Sequence, residues 1–181
     1  MIEKLRLKSG RGSRPKSARR FEVVVQLSPE SPFGLSAGAH NELEKAVVEV
    51  LAPAILTDPA VVYLGDTAPR SGFQDRAVMR RLNLPIDVKA SLPDVVLYSE
   101  SDRRLLVVEA VTSGGPITAH RLAQLQELAR GPLRLGIRVE YLTAFPGRRD
   151  LRRFLEEIAW GTSVWVADEP YNLIHFVSLS S

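Results

Sequence analysis

The sequence contains no cysteine. This absence excludes disulfide bonds, cysteine-ligated zinc, iron–sulfur clusters and thiol nucleophiles, and it suits a cytoplasmic protein at least as well as a secreted one. Long apolar runs are also missing. No segment approaches the roughly 20 apolar residues of a membrane helix, and the amino-terminal stretch has no signal-peptide core. We therefore expect a cytoplasmic protein without a membrane partner.

The 181 residues are enough for one ordinary domain, and 45% hydrophobic against 25% charged residues can form a buried core. The formal net charge of +3 is unevenly distributed. Residues 1–20 contain eight basic and one acidic residue, whereas residues 21–181 contain sixteen basic and twenty acidic residues. Because Gly, Ser and Pro interrupt the basic stretch, we expect a flexible arm over residues 1–20 and a single domain over residues 21–181.

The basic arm has two interpretations that the sequence leaves open. It can be a solvated tail, since short basic termini also aid solubility, or it can bind nucleic acid through its positive charge. On the second interpretation Arg14, Arg19 and Arg20 are candidate DNA contacts.

Hydrophobic periodicity predicts an alternation of strands and helices. The expected strands are 21–27, 60–64, 94–98, 105–111, 137–145, 164–167 and 173–177. The expected helices are 41–51, 75–82, 118–130 and 151–158, with Pro53 beyond the first helix and Gly161 capping the last. Residues 28–40 are expected to form a loop. Only six residues, 99–104, separate 94–98 from 105–111, which indicates a hairpin within a mixed α/β fold.

Two acidic residues interrupt the apolar strands of this hairpin. Asp94 lies seven residues before Ser101, and Glu109 lies seven residues after Asp102. If the turn is centred between Ser101 and Asp102, the two carboxylates face each other with Cβ atoms roughly 5 Å apart. Carboxylates this close repel each other unless a cation lies between them, and oxygen ligands suit Mg²⁺ or Mn²⁺. Alternatively, Asp94 caps the preceding loop and Glu109 points to solvent from an edge strand.

The Pro93-Asp94 dipeptide, followed by a strand, a turn and a second strand with Glu109, resembles the PD-(D/E)XK nuclease signature. The chain between about residues 35 and 177 also resembles the C-terminal catalytic domain of the BsuBI/PstI family of type II restriction endonucleases. The stretches that carry this resemblance are AGAHNELEKAVVEVLAP, VVYLGDT, LPDVVLY, LLVVEAVTSGGPI, RVEYLTAFPGR, FLEEIAWGTSVWVADEP and LIHF.

The resemblance implies an α/β fold of the PD-(D/E)XK type, with a mixed central sheet flanked by helices on both faces. It also implies Mg²⁺-dependent hydrolysis of DNA phosphodiesters, in DNA restriction or defence. Asp94 and Glu109 take the two metal-ligand positions and are candidate catalytic residues. The Lys that the signature places two residues after the Glu is Val111 in this chain.

Other positions depart from the family pattern that the resemblance suggests. In the family pattern, one Lys comes shortly after the Gly65-Asp66-Thr67 stretch, and this chain has Arg70 there. A second Lys precedes the Arg that follows the Gly-Pro pair, and this chain has His120 there. Gly114 stands where the family usually has His. His120 is therefore a third candidate catalytic residue, and Arg70 and Arg121 are candidate contacts to the DNA phosphate. These departures put turnover in doubt more than they affect the predicted fold.

An additional acidic residue from the first helix is the remaining open question about the site. Helical geometry slightly favours Glu44, the resemblance favours Glu49, and Glu42, Glu44 and Glu49 can also form an ordinary solvated face. Asp66 either faces the site or makes an Asx turn. His40 either caps the helix or contacts a phosphate.

Two functions from different classes follow from these residues. The first is a Mg²⁺-dependent endonuclease. The second is a nuclease fold that has lost its general base, as Val111, Gly114 and His120 suggest, and serves as a DNA-binding or assembly subunit. Because only about 35 residues precede the matched region, we expect that specificity is low or that a homodimer or a separate targeting protein supplies it. An α/β small-molecule or interaction module is the third alternative.

Overall fold

The structure is a computed structural model that describes residues 23–67, 72–85 and 92–179. The predicted arm, with Arg14, Arg19 and Arg20, lies outside the described residues, as does Arg70. The division into an arm and one domain therefore stays a prediction. None of the helices in the described ranges is long and apolar enough to cross a membrane.

A seven-stranded mixed sheet forms the centre of the molecule, in the order β4-β3-β5-β6-β7-β8-β9. Strands β5 and β6 pair antiparallel, whereas β6, β7 and β8 run parallel to one another. A separate antiparallel hairpin, β1–β2, lies outside this sheet. The strands are β1 Val23–Ser28, β2 Ser31–Leu35, β3 Ala60–Leu64, β4 Phe73–Gln74, β5 Val95–Ser99, β6 Arg104–Ala110, β7 Arg138–Phe145, β8 Ser163–Val166 and β9 Leu173–His175.

Helices cover both faces of the sheet, as the sequence predicts for this fold class. The helices are α1 Ala39–Ala46, a π-helical segment Val47–Leu51, α2 Ala52–Ile55, α3 Arg76–Arg81, α4 Ala119–Leu128, α5 Arg130–Arg134 and α6 Arg148–Arg152. The first core joins one face of the sheet to α1, the π-helical segment and the β1–β2 hairpin. The second core joins the other face to residues from α3 and α4.

The β5–β6 hairpin is the best predicted element. Every residue of β5 is buried, because Val95 and Leu97 pack into the first core while Val96 and Tyr98 pack into the second. A strand buried on both faces is continuously apolar and does not alternate. The register pairs Val95 with Val108, which confirms a turn centred between residues 101 and 102.

Two predicted features of the amino-terminal half are wrong. The predicted loop 28–40 contains β2, whose Leu35 is fully buried although Pro and Gly make the segment look irregular. The first helix also runs past Pro53 to Ile55, because the π-helical segment places Pro53 in the first turn of α2. A residue without a backbone N–H is tolerated there.

The predicted helix at 151–158 is also wrong. Helix α6 ends at Arg152, and the chain continues in tight turns in which the Phe154 N–H bonds the carbonyl of Leu151. These turns let Phe154 stack on Phe145 at a centroid distance of 6.0 Å. Gly161 has a φ of +81° but caps no helix, since its N–H donates to the carbonyl of Phe176.

Candidate metal centre

Asp94 and Glu109 lie opposite each other where β5 begins and β6 ends. Val95 of β5 pairs with Val108 of β6. Asp94 directly precedes Val95 and Glu109 directly follows Val108, so the two acidic residues lie opposite each other. The Oδ2 atom of Asp94 accepts the N–H of Ala110 at 2.7 Å, which turns this carboxylate toward β6. Because β6 lies between β5 and β7, the alternative of an edge strand is wrong.

Helix α1 adds two further side chains to this place. His40 Nε2 lies 3.4 Å from Asp94 Oδ1 and 3.5 Å from Glu44 Oε1. His40 and Glu44 are one helical turn apart, so they project from the same face of α1. Ligand atoms of His40, Glu44 and Asp94 all lie within 4.8 Å of one another. Glu44, which helix geometry slightly favoured, is thus the acidic residue of the first helix that lies beside Asp94.

Glu44 is completely buried, and neither of its carboxylate oxygens accepts a hydrogen bond from the described residues. Burying a carboxylate without hydrogen bonds is costly unless a cation compensates it. Its nearest cationic group in the described chain is His40. These unsatisfied oxygens, beside a second carboxylate, fit a site that holds a divalent cation.

Gly65 of the GDT stretch leaves the space that this cluster needs. A Cβ atom at this position would lie 3.1 Å from Glu44 Oε1 and 3.3 Å from the carbonyl oxygen of Asp94. The Gly65 N–H also donates to that carbonyl at 2.7 Å. The neighbouring Asp66 accepts a hydrogen bond from Asn41 Nδ2 at 2.8 Å and holds the Ser36 region before α1.

Arg121 neutralises Glu109 from the other side. Its Nη2 and Nε atoms donate to Glu109 Oε1 at 2.6 and 2.9 Å, and Nη2 also donates to the carbonyl of Leu92 at 3.1 Å. Thr118 caps α4 by accepting the Arg121 N–H at 3.2 Å, which fixes the start of the helix that presents this guanidinium. Glu109 is thus held by an arginine, whereas Asp94 and Glu44 face a histidine.

The cluster perturbs the protonation of its members. The nearby carboxylates of Asp94 and then Glu44 raise the pKa of His40 to about 10, against a smaller opposing effect of burial. Burial raises the pKa of Glu44. Burial and then the Asp94 carboxylate raise the pKa of Glu109 to about 7, although Arg121 acts in the opposite direction. Such shifts within one small cluster are typical of functional sites.

Other predicted site residues lie elsewhere. His120 is exposed, with Nε2 3.1 Å from Gln124 Nε2, and it has no hydrogen bond or ion pair to an acidic residue in the described parts of the chain. Glu49 binds Lys45 at 2.7 Å and accepts the Gln26 N–H at 2.8 Å, so the acidic residue that the resemblance favoured does not reach the cluster.

Val111 and His40 are the two positions where sequence reasoning was least informative. Val111 is buried in the third core beside Phe145 and Leu151, so this position supplies packing and no charge. His40 was expected as a cap or a phosphate contact, although its spacing of four residues from Glu44 could have indicated a shared site.

Comparisons with known proteins agree with this architecture. The family model of the BsuBI/PstI restriction endonuclease domain matches residues 23–178. The chain is 37% identical over 161 residues to the type II restriction enzyme BsuBI of Bacillus subtilis, covering 89% of this chain and 50% of the relative. It is 28% identical over 159 residues to the type II restriction enzyme AplI of Arthrospira platensis, covering 84% of this chain and 48% of that relative.

A solved structure of the SdaI restriction endonuclease superposes with a TM-score of 0.80 and 32% sequence identity. The superposition covers 86% of this chain and 48% of the SdaI chain. The chain therefore spans about half the length of the curated relatives that it matches.

Proposed function

Because this chain belongs to the BsuBI/PstI restriction endonuclease family and has a PD-(D/E)XK nuclease-like fold, we propose that it is a Mg²⁺-dependent endodeoxyribonuclease domain. Its substrate would be the phosphodiester backbone of DNA, and its role would be DNA restriction or defence. The observation that carries the proposal is the convergence of Glu44 and Asp94 with His40, with both Glu44 oxygens unsatisfied.

Asp94 and Glu44 would hold the cation, and Glu109 would join them as the second acidic residue of the hairpin. A divalent cation bound there, Mg²⁺ or Mn²⁺, would supply Lewis-acid activation of water and stabilise negative charge on the phosphate. The hydrogen bond from the Ala110 N–H keeps Asp94 Oδ2 fixed, which leaves Oδ1 directed toward α1. The protein thus presents its carboxylate oxygens in a fixed arrangement before DNA arrives.

Arg121 would orient Glu109 and place a positive charge beside the scissile phosphate. The guanidinium is anchored by the Leu92 carbonyl as well as by Glu109, so its position does not depend on a single ion pair. Arg70 and His120 stay proposed contacts to the phosphate or the reacting groups, and the arm residues Arg14, Arg19 and Arg20 stay proposed DNA contacts.

A second candidate function is a nuclease fold without turnover that acts as a DNA-binding or assembly subunit. The observation in its favour is Val111, because a buried valine occupies the position of the signature's general base. In either case we propose a cytoplasmic protein that works as a homodimer or with a separate DNA-targeting protein.

The experiment compares the cleavage of supercoiled plasmid DNA in Mg²⁺ or Mn²⁺ by the wild-type chain and by Asp94→Asn, Glu44→Gln and Glu49→Gln. A loss of several kcal/mol of charge stabilisation slows cleavage by at least about a hundredfold. We expect this slower cleavage for Asp94→Asn and Glu44→Gln and wild-type cleavage for Glu49→Gln. Glu49→Gln is the matched control, because Glu49 lies in the same continuous helical segment outside the cluster.

Binding of Mn²⁺, followed by electron paramagnetic resonance, separates the two candidate functions. A wild-type chain that binds Mn²⁺ and DNA but leaves the plasmid intact would support the non-catalytic subunit. Equal cleavage by the wild type and by Asp94→Asn would contradict the proposed metal centre.

A further inference from the structure

One ring nitrogen of His40 has two carboxylate oxygens around it, at distances that are too long for strong hydrogen bonds. The Nε2 atom lies 3.4 Å from Asp94 Oδ1 and 3.5 Å from Glu44 Oε1. A charge-assisted hydrogen bond between a nitrogen and a carboxylate oxygen is about 2.7–2.9 Å long. Neither Glu44 oxygen accepts a hydrogen bond from the described residues. The three atoms are thus spaced like ligand atoms around a common centre.

The spacing of these atoms indicates the class of ion that fits between them. A tetrahedral ion such as Zn²⁺ has its ligands at about 2.0–2.2 Å, so two of its ligand atoms are roughly 3.4 Å apart. Mg²⁺ requires octahedral geometry at about 2.0–2.1 Å, which brings neighbouring ligand atoms to roughly 2.9 Å. The two distances at His40 Nε2 agree with the tetrahedral value. They exceed the octahedral value by about 0.5 Å.

The donor atoms favour the same class of ion. Imidazole nitrogen is a common ligand of Zn²⁺, Cu²⁺, Fe²⁺ and Ni²⁺, whereas Mg²⁺ prefers oxygen ligands. His40 and Glu44 are four residues apart on α1, so the helix itself holds the nitrogen donor beside the buried carboxylate. Glu109 is bound differently, because Arg121 donates twice to its Oε1 atom. The third donor beside Glu44 and Asp94 is therefore a nitrogen.

The cluster has one side open to solvent. Glu44 is completely buried, whereas the side chains of His40 and Asp94 are 24% and 27% exposed. Three protein ligands with an accessible fourth position are the arrangement of catalytic zinc sites, while structural zinc sites have four protein ligands. In chelator, a proton on His40 compensates the carboxylates, and a bound ion would take the place of that proton.

We propose that His40 is a metal ligand and that the His40–Glu44–Asp94 site binds a transition-metal ion of the Zn²⁺ or Co²⁺ class more tightly than Mg²⁺. The inference rests on the proposed function, in which Glu44 and Asp94 hold the cation. It adds a nitrogen ligand, which the PD-(D/E)XK signature does not contain. Zn²⁺ and Mg²⁺ then compete for the same two carboxylates, so the ion in the site depends on which metals are present.

The test titrates the chelator-treated chain with Co²⁺ and follows the visible absorption, because four-coordinate Co²⁺ absorbs much more strongly than six-coordinate Co²⁺. Mg²⁺ is then added to displace the Co²⁺, which gives the ratio of the two affinities. The variant is His40→Gln, which removes the nitrogen donor. The matched control is His175→Gln, because His175 is exposed and contacts Ser163 at 2.8 Å. Its strand, β9, is separated from β5 by three strands.

We expect the wild type and His175→Gln to bind Co²⁺ with the strong absorption of a four-coordinate ion, and to prefer Co²⁺ to Mg²⁺. His40→Gln should bind Co²⁺ at least about a hundredfold more weakly, since the loss of an outer partner of a ligand already costs about 10–100-fold. The affinity of His40→Gln for Mg²⁺ should change by less than about tenfold, because Mg²⁺ relies on the carboxylates. Circular dichroism verifies that the variants are folded.

A second measurement uses the wild-type chain and does not depend on the folding of His40→Gln. Nitrogen-15 NMR of the imidazole rings reports which ring nitrogen binds Zn²⁺, and the sequence has three histidines. We expect Zn²⁺ to shift the Nε2 signal of His40, while the signals of His120 and His175 stay in place. The variants His120→Gln and His175→Gln assign the signals, since both variants retain the His40 ring.

Three outcomes overturn the inference. If His40→Gln keeps the wild-type ratio of affinities, or if Zn²⁺ leaves the His40 ring signals unshifted, His40 is not a ligand, although the proposed nuclease function stands. If His175→Gln loses as much Co²⁺ affinity as His40→Gln, the ion binds to surface histidines. If the wild-type chain binds no divalent cation at all, the proposed metal centre fails together with the inference.

Discussion

The protonated His40 gives the protein a pH-dependent stability that a single substitution should remove. Its pKa is about 10 in the folded chain, against 6.5 as the ordinary value, because the carboxylates of Asp94 and Glu44 lie within 3.5 Å of its Nε2 atom. Between these two pH values the folded state holds a proton that the unfolded state has released. Stability must therefore fall as the pH rises, by about 1.36 kcal/mol per pH unit for one such group.

Between pH 7.5 and 9 this loss amounts to about 2 kcal/mol, which lowers the melting temperature by about 4–8 °C in a chain of this size. The His40→Gln variant has no group to titrate at this position, so its stability should be nearly constant over the same interval. The variant should also be less stable at pH 7.5, because buried Glu44 loses its nearest cation.

The assay is urea unfolding in the presence of EDTA, at pH 7.5 and pH 9, for the wild type, His40→Gln and His120→Gln. The last variant is the control, because His120 is exposed and contacts Gln124 instead of a carboxylate. It should retain the wild-type dependence on pH. Equal stability of the wild type at both pH values, or an equal loss in His40→Gln, would refute the assigned role of the imidazolium.

Two further substitutions test the rest of the cluster. Gly65→Ala would place a methyl group 3.1 Å from Glu44 Oε1. We therefore expect the variant to bind Mn²⁺ about tenfold more weakly in a calorimetric titration. An unchanged affinity for Mn²⁺ would show that the cluster can expand. Arg121→Gln removes the guanidinium that holds the pKa of Glu109 down. The pKa of Glu109, followed by a carbon-13 NMR titration, should therefore rise above about 7. A pKa of Glu109 below that of the wild type would contradict the ion pair.

The hairpin and its two acidic residues were predictable because their geometry is local. Four residues, 100–103, join β5 to β6, so the sequence distance from the turn determines which residues face each other. Glu44 was predictable for a similar reason, since the helical periodicity that buries Leu43 and Val47 also brings Glu44 close to the apolar face.

The remaining features depend on contacts between distant parts of the chain. His40 gains its role from Asp94, which is 54 residues away in the sequence. The turn at Asn83 packs against Gly131 of α5, and no local pattern indicates that contact. β2 is stabilised by its pairing with β1 and by buried Leu35, which outweigh the low strand propensity of Pro32 and Gly34.

The two borders of the central sheet limit how this domain can associate with other chains. The outermost strands are β4, with two residues, and β9, with three. Such short borders expose few free backbone N–H and carbonyl groups, so they offer little template for adding a strand from another molecule. A second copy or a targeting protein that engages the central sheet in the described residues would therefore contact side chains on the helices that cover it, and mutations that break such an assembly should map to those helices.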